Sequence, residues 1–199
     1  MLKVGIVGGG QLGRMLLQQA ANYPIETFVL ENDTQAPAAH LCHHFQLGSI
    51  TDFDTVLQFG RKVDVLTIEI ENVSVEALFQ LEKEGVKVIP RPEVLQTIKD
   101  KGLQKQFYET HQIPSPEFVL LGSAKDLQQK LDFLPAAQKM RTGGYDGKGV
   151  QLLWNEGDMV KAFSEPSLLE KMVDIEKEIA VIVACNESGE TAVFPPTEM

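Results

Sequence analysis

Lys3-Val4-Gly5-Ile6-Val7-Gly8-Gly9-Gly10-Gln11-Leu12-Gly13-Arg14-Met15-Leu16-Leu17 joins a short apolar run to a segment whose apolar positions recur at helical spacing, through a turn that satisfies G-x-G-x-x-G. Glycines there let the backbone pass close to a neighbour or an anion, and the following helix offers free N–H groups at its first turn. Further alternations extend the pattern. The spacing predicts a strand at 26–31, a helix near 53–60 with a strand at 63–70, and a helix at 74–83 with a strand at 86–89. Strands separated by helices of this length form a parallel sheet with helices on both faces. Glu31 closes the second strand 18 residues after Gly13, near where a dinucleotide site places a ribose-binding carboxylate. Taken alone, the turn suits NAD and suits equally a packing turn without a ligand.

Ile89-Pro90-Arg91-Pro92 punctuates the chain, because proline ends regular structure and restricts the residue before it. Beyond it a helix is expected over 93–111, then a break at Ile113-Pro114-Ser115-Pro116. Strands are expected at 117–121, 136–140, 150–154, 167–172 and 178–184, the last pairing with 190–194 across Asn186-Glu187-Ser188-Gly189. The division falls near residues 90–100, giving a Rossmann-like unit over 1–95 and an α+β unit over 96–199. The sequence stops at Met199 on a strand hairpin, so the second unit is expected to be incomplete and the chain by itself inactive.

Composition narrows the class. Of 199 residues, 43% are hydrophobic and 23% charged, as in ordinary globular proteins, and the net charge of −10 argues against a coat of nucleic acid or anionic lipid. A pocket can still be locally positive. No apolar run approaches the roughly 20 residues that span a bilayer. A first strand beginning at Lys3 leaves no room for a signal peptide, and Cys42 and Cys185 read as reduced thiols of a cytoplasmic protein. His40, Cys42, His43 and His44 are metal-competent, but neighbours so close cannot all face one ion. A loop or strand edge entering Phe45 is the expected account, with no metal in this chain. His111 is expected to interact with the C-terminal end of its helix.

The second glycine cluster is more specific. Lys139-Met140-Arg141-Thr142-Gly143-Gly144-Tyr145-Asp146-Gly147-Lys148-Gly149 lies between two expected strands and describes a loop able to fold over phosphates. Backbone N–H groups and Lys148 would neutralise charge from above, and Lys139 would reach from the strand beneath. It is not a Walker loop, since Thr142 stands five residues before Gly147 and Gly149 follows Lys148. The bland alternative is a glycine-rich surface hairpin.

Thr142 to Gly149 with Lys139, Gly8 to Met15, Glu69-Ile70-Glu71-Asn72-Val73 and Leu103-Gln104-Lys105-Gln106-Phe107 together resemble the 5-(carboxyamino)imidazole ribonucleotide synthetases, in the family's order. The resemblance implies a Rossmann-like pre-ATP-grasp domain followed by the first part of an ATP-grasp domain. It implies an ATP-dependent carbon–nitrogen ligase of purine synthesis that joins bicarbonate to aminoimidazole ribonucleotide through carboxyphosphate, giving ADP and phosphate. It also implies a homodimer, and magnesium whose ligands lie beyond residue 199.

By the same resemblance, ATP would be held by Arg91, Lys139, Gly144, Tyr145, Asp146, Gly147, Lys148 and Gly149. Glu170 would accept from the adenine amino group, the backbone around Lys171 and Val173 would hold the base edge, and Glu178 would take the ribose hydroxyls. Tyr145, Asp146 and Lys148 would carry catalysis, with Tyr145 and Asp146 also facing the ribonucleotide. Gln11, Leu12 and Glu69 would line the ribonucleotide side, although Leu12 also reads as core and Glu69 as a solvated strand end. Two departures stand out: Val150 where the family commonly has glutamine, and a polar Gln138 before Lys139. Other readings are a glycinamide ribonucleotide formyltransferase type of ATP-grasp ligase, an NAD(P)-dependent dehydrogenase, and a non-catalytic nucleotide-binding module.

Overall fold

The computed structural model describes residues 1–144 and 148–199. β1 (Leu2–Val7), α1 (Gln11–Ala20), β2 (Ile25–Glu31), β3 (His44–Leu47), α2 (Phe53–Gly60), β4 (Val65–Ile68), α3 (Val75–Lys83) and β5 (Lys87–Ile89) build a five-stranded parallel sheet in the order β3-β2-β1-β4-β5. Both faces are covered, which is why the C-terminal parts of β1 (Gly5-Ile6-Val7) and β2 (Phe28-Val29-Leu30) read as unbroken apolar runs. Leu17 of α1 packs on Ile6, Val29 and Ala38. On the other face Val56, Phe59, Leu78 and Leu81 of α2 and α3 meet Val7, Leu30, Leu66 and Val88. Asp52 and Ser74 cap α2 and α3 by accepting from the backbone N–H groups of Thr55 and Ala77.

The histidine cluster is explained by β3, a parallel edge strand. His43 Nδ1 accepts from Thr27 N at 3.1 Å, His44 Nε2 lies 2.7 Å from Glu26, and the His44 ring stacks on Phe28.

The helix expected over 93–111 is two helices, α4 (Pro92–Lys99) and α5 (Lys101–Thr110). Asp100 between them is extended, and its carboxylate accepts from Gly102 N and Leu103 N. A capping carboxylate satisfies donors that a continuous helix would bond internally, so the chain breaks there. Leu95 of α4 belongs to the first core. His111 ends α5, its Nδ1 2.9 Å from Phe107 O.

The second sheet is antiparallel, ordered β6-β9-β7-β8, from β6 (Phe118–Leu121), β7 (Ala136–Met140), β8 (Val150–Leu153) and β9 (Ser167–Lys171). A short α6 (Ala124–Gln128) and 3-10 turns at Leu131–Phe133 and Glu156–Lys161, none of them anticipated, complete this unit. Its core is Leu121, Leu127, Phe133, Ala136, Leu153 and Leu169. Gln138 is fully buried, donating to Phe163 O and Ser167 Oγ and accepting from Phe163 N, so its polarity fastens β7 to the segment entering β9.

The strand expected over 178–184 is divided. β10 (Ile179–Ala180) pairs with β13 (Thr197–Glu198), while β11 (Val183–Cys185) forms the anticipated hairpin with β12 (Thr191–Val193). At its turn Asn186 Oδ1 accepts from Ser188 N and Glu190 N. No helix among the described residues is long and apolar enough to cross a membrane.

Candidate functional site

The glycine turn after β1 lies at the point where the strand order reverses, between β1 and β4, the usual ligand crevice of such sheets. Its electrostatics are not those of an open anion site. Gly9 N donates to Glu31 Oε2 at 2.8 Å, and Asn32 N donates to Oε1 of the same carboxylate at 2.6 Å. From the other side Glu69 leans over the turn. A Cβ on Gly10 would lie 2.5 Å from Glu69 Oε1, and one on Gly8, where φ is +102°, 2.9 Å from Oε2. These glycines therefore make room for the protein's own carboxylates. Glu31, the ribose-binding carboxylate of an NAD reading, is engaged by the turn itself. Gln11 and Leu12 are exposed at the start of α1, so the reading of Leu12 as core fails.

The second cluster is built from β7, β9 and α5. Lys139 on β7 faces Leu168 on β9, and Ala137 faces Glu170, so Lys139 and Glu170 share one face of the sheet as diagonal neighbours. Lys139 Nζ lies 2.7 Å from Glu170 Oε2. From α5 above, Lys105 Nζ donates to Glu170 Oε1 at 2.8 Å and also to Ser115 Oγ. Burial is the largest influence on the Glu170 carboxyl and pushes its pKa up, but the hydrogen bonds and charges of Lys105 and Lys139 outweigh it and hold the group below the ordinary carboxylate value. A cavity of about 290 Å³ opens beside this cluster, lined by Lys101, Gln104, Lys105, Tyr108, Lys139 and Glu170 among others.

The loop root is fastened to the same helix. Arg141 Nε and Nη2 donate to the two oxygens of Asp100 at 2.9 and 2.6 Å, and Lys101 N donates to Arg141 O at 2.9 Å. The Asp100 carboxyl stays below its ordinary value: burial, the largest influence, opposes this, and the Arg141 pair and the Leu103 and Gly102 N–H groups prevail. Above the root, the backbone crosses itself. A Cβ on Gly149, where φ is +81°, would lie 2.9 Å from Gly144 Cα, and one on Gly144 2.8 Å from Lys148 O. Only glycine permits that approach. Tyr145, Asp146 and Gly147, expected to carry catalysis and phosphate contacts, lie outside the described residues. A second cavity of about 680 Å³ is lined by Glu71 and Asn72 beyond β4, Lys99 and Lys101, and Thr142, Gly143 and Gly144.

The structure thus puts Lys139 and Glu170 in contact on one face of the second sheet, with Gly144, Lys148 and Gly149 grouped where β7 ends. Others lie apart from it or are already engaged. Arg91 does not line this cavity: it is largely exposed, 3.7 Å from Glu82 and 3.4 Å from Glu93. The cation at the junction is Lys101, which lines both cavities. Glu170, expected to await an adenine amino group, is already engaged by two ammonium groups. The Lys171 side chain turns away, donating to Phe133 O at 2.8 Å over the Phe133 ring, and its backbone N donates to Glu117 O at 2.9 Å. Val173 and Glu178 are exposed and line neither cavity. Lys101, Lys105 and Ser115 were not singled out as site residues. Asp100 to Gln106, a capping residue followed by lysines at positions 101 and 105, was the available signal, because that spacing puts both cations on one helical face.

A parallel sheet with a glycine turn at its switch point, followed by an antiparallel sheet with a lysine beside a lysine-lined cavity, is the order of units that the resemblance implies: a pre-ATP-grasp domain and then ATP-grasp structure. Residues 1–99 match the ribonucleotide synthetase preATP-grasp domain, and residues 106–199 match the ATP-grasp domain. The chain is 34% identical over 198 residues to the N5-carboxyaminoimidazole ribonucleotide synthase of Synechococcus elongatus, covering 96% of this chain and 50% of that protein. It superposes on the N5-carboxyaminoimidazole ribonucleotide synthetase of Thermotoga maritima with a TM-score of 0.89 and 36% identity, covering all of this chain and 54% of the other. The N5-carboxyaminoimidazole synthase of Aspergillus clavatus, solved with ADP and 5-aminoimidazole ribonucleotide, superposes with a TM-score of 0.85 and 29% identity over 99% of this chain and 53% of that one. The chain belongs to the N5-carboxyaminoimidazole ribonucleotide synthetase family. It spans about half the length of these relatives.

Proposed function

We propose that this chain forms the ribonucleotide side and one wall of the ATP site of a ligase that carboxylates 5-aminoimidazole ribonucleotide. ATP phosphorylates bicarbonate to carboxyphosphate, releasing ADP. The 5-amino nitrogen attacks the carboxyphosphate carbon, loses a proton, and phosphate leaves with the C–O bonding pair. The observation that carries this reading is the lysine-lined cavity beside the loop root, with Lys139 and Lys101 facing the space where polyphosphate charge would lie. Lys148, Gly144 and Gly149 would cover the phosphates, with Tyr145, Asp146 and Gly147 completing the cover and Tyr145, Asp146 and Lys148 serving the reaction. Glu69, Gln11 and Leu12 would border the ribonucleotide, next to the larger cavity that Glu71 and Asn72 enter. The base edge would meet the Lys171–Val173 backbone, and Glu178, just before β10, would take the ribose hydroxyls.

Magnesium accompanies ATP in such chemistry. Glu170 does not fit as its ligand, because both oxygens face ammonium groups, and no three His, Cys, Asp or Glu side chains converge among the described residues. Its protein ligands belong outside this cluster. The division between the two units belongs at Asp100, slightly beyond residue 95. A cytoplasmic homodimer joined through the parallel-sheet unit is part of the same reading, and light scattering would check it.

The decisive assay is ADP release by the full-length gene product with magnesium-ATP and bicarbonate, with and without aminoimidazole ribonucleotide. Release that depends on the ribonucleotide is expected. ADP release indifferent to it would leave a nucleotide site and remove the substrate assignment.

A further inference from the structure

The two lysines on Glu170 are not equivalent. The Lys105 side chain is 9% exposed and is anchored a second time by Ser115, whereas that of Lys139 is 32% exposed and borders the cavity. Glu170 itself is 8% exposed. A carboxylate this deeply placed needs a permanent cation, because an uncompensated buried charge is strongly unfavourable. With two cations present, one can leave.

We propose that Lys105 is a positioning residue: it is the standing counter-ion of Glu170, and it thereby frees Lys139 to move from Glu170 to the phosphates of a bound nucleotide. This rests on the nucleotide-site reading above and deepens it. Glu170 Oε2, 2.7 Å from Lys139 Nζ, holds that ammonium at the cavity wall before a nucleotide arrives. When phosphate oxygens compete for Lys139, Glu170 keeps the Lys105 bond at 2.8 Å and is never left unpaired. Without Lys105, the whole carboxylate charge would fall on Lys139, and each nucleotide bound would have to strip Glu170 of its last partner.

The test is a cycle of wild type, Lys105→Met, Glu170→Gln and the double variant in the full-length protein. ADP affinity is read by calorimetry, and the rate of Lys139 acylation by acetic anhydride is read by mass spectrometry without nucleotide. Lys105→Met is expected to weaken ADP by about tenfold or more and to slow Lys139 acylation several-fold, since a lysine held by a full carboxylate is protected. In the Glu170→Gln background the same substitution should change ADP affinity by no more than about twofold, because no charge remains to capture Lys139. Lys105→Arg should bind ADP like wild type. A lysine that only supports the fold would lose affinity equally in both backgrounds and leave Lys139 acylation unchanged or faster, and that result overturns the proposal. If wild type binds no ADP, the nucleotide reading fails, and the acylation rates still decide whether Lys105 governs Lys139.

Discussion

At the turn after β1, glycine brings the backbone against carboxylates: Gly9 N donates to Glu31 at 2.8 Å, and Glu69 occupies the space that side chains on Gly8 and Gly10 would need. At the root of the second cluster, glycine brings backbone against backbone, and the side chains beneath include Lys101, Lys105 and Lys139. The two stretches share a composition, but their local fields are opposite. A glycine-rich turn reports a close approach. What it approaches is settled by charged side chains from other elements, and these decide whether an anion is welcome.

The largest effect should separate the two turns on nucleotide binding. Lys139→Ala removes a charge-assisted contact to phosphate and should weaken ADP about a hundredfold, or about 2.7 kcal/mol. Glu31→Ala should leave ADP affinity unchanged and instead cost about 1–3 kcal/mol of stability, because Gly9 N loses its acceptor. The contrast breaks if the two variants exchange these phenotypes. It also breaks if wild type binds NADH, which the occupied turn should refuse.

A smaller effect tests the charge beneath the loop through pH. Burial, the largest influence, raises the Glu170 pKa, but its two lysines bring it below the ordinary carboxylate value. A group depressed in the folded state adds stability above its unfolded pKa and loses it as pH falls through the folded value. The stability advantage of wild type over Glu170→Gln should therefore be complete near neutrality and shrink below about pH 4–5 in acid titrations followed by thermal unfolding. A difference that stays constant from pH 7 to pH 3 would show that the pair contributes by packing and not by charge.

How much of this was legible depends on sequence distance. The β1–α1–β2 core follows from local periodicity, since Ile6, Leu17 and Val29 each sit where their own element's period puts them. β3 was visible only as an edge into Phe45, because four residues beginning with a histidine make no apolar run. The break at Asp100 hides inside a good helical pattern; what makes it worthwhile is Arg141, 41 residues away. Lys105 reads as an ordinary solvated helix lysine until Glu170, 65 residues away, is brought to it. Arg91 is the opposite case: its neighbours Glu82 and Glu93 are close by in sequence, while the ligand role comes only from the resemblance. Long-range ion pairs have no periodicity, so a single sequence cannot announce them.

The smallest predicted effect isolates what glycine does at each turn without changing any charge. Gly143 has φ +76°, and a Cβ there meets nothing within 4 Å, so Gly143→Ala should cost only the left-handed conformation, about 1–2 kcal/mol. Gly8→Ala carries the same kind of cost at φ +102° and adds the collision with Glu69. Chemical denaturation should therefore rank Gly8→Ala as the more damaging by about 1 kcal/mol or more. Adding Glu69→Ala should remove the part of that excess due to Oε2 at 2.9 Å and leave the smaller part due to the retained Cβ at 3.1 Å and Ile70 Cγ2 at 3.2 Å. If the excess is undiminished in the double variant, the Glu69 carboxylate does not crowd the first turn, and the view that it fills it is wrong.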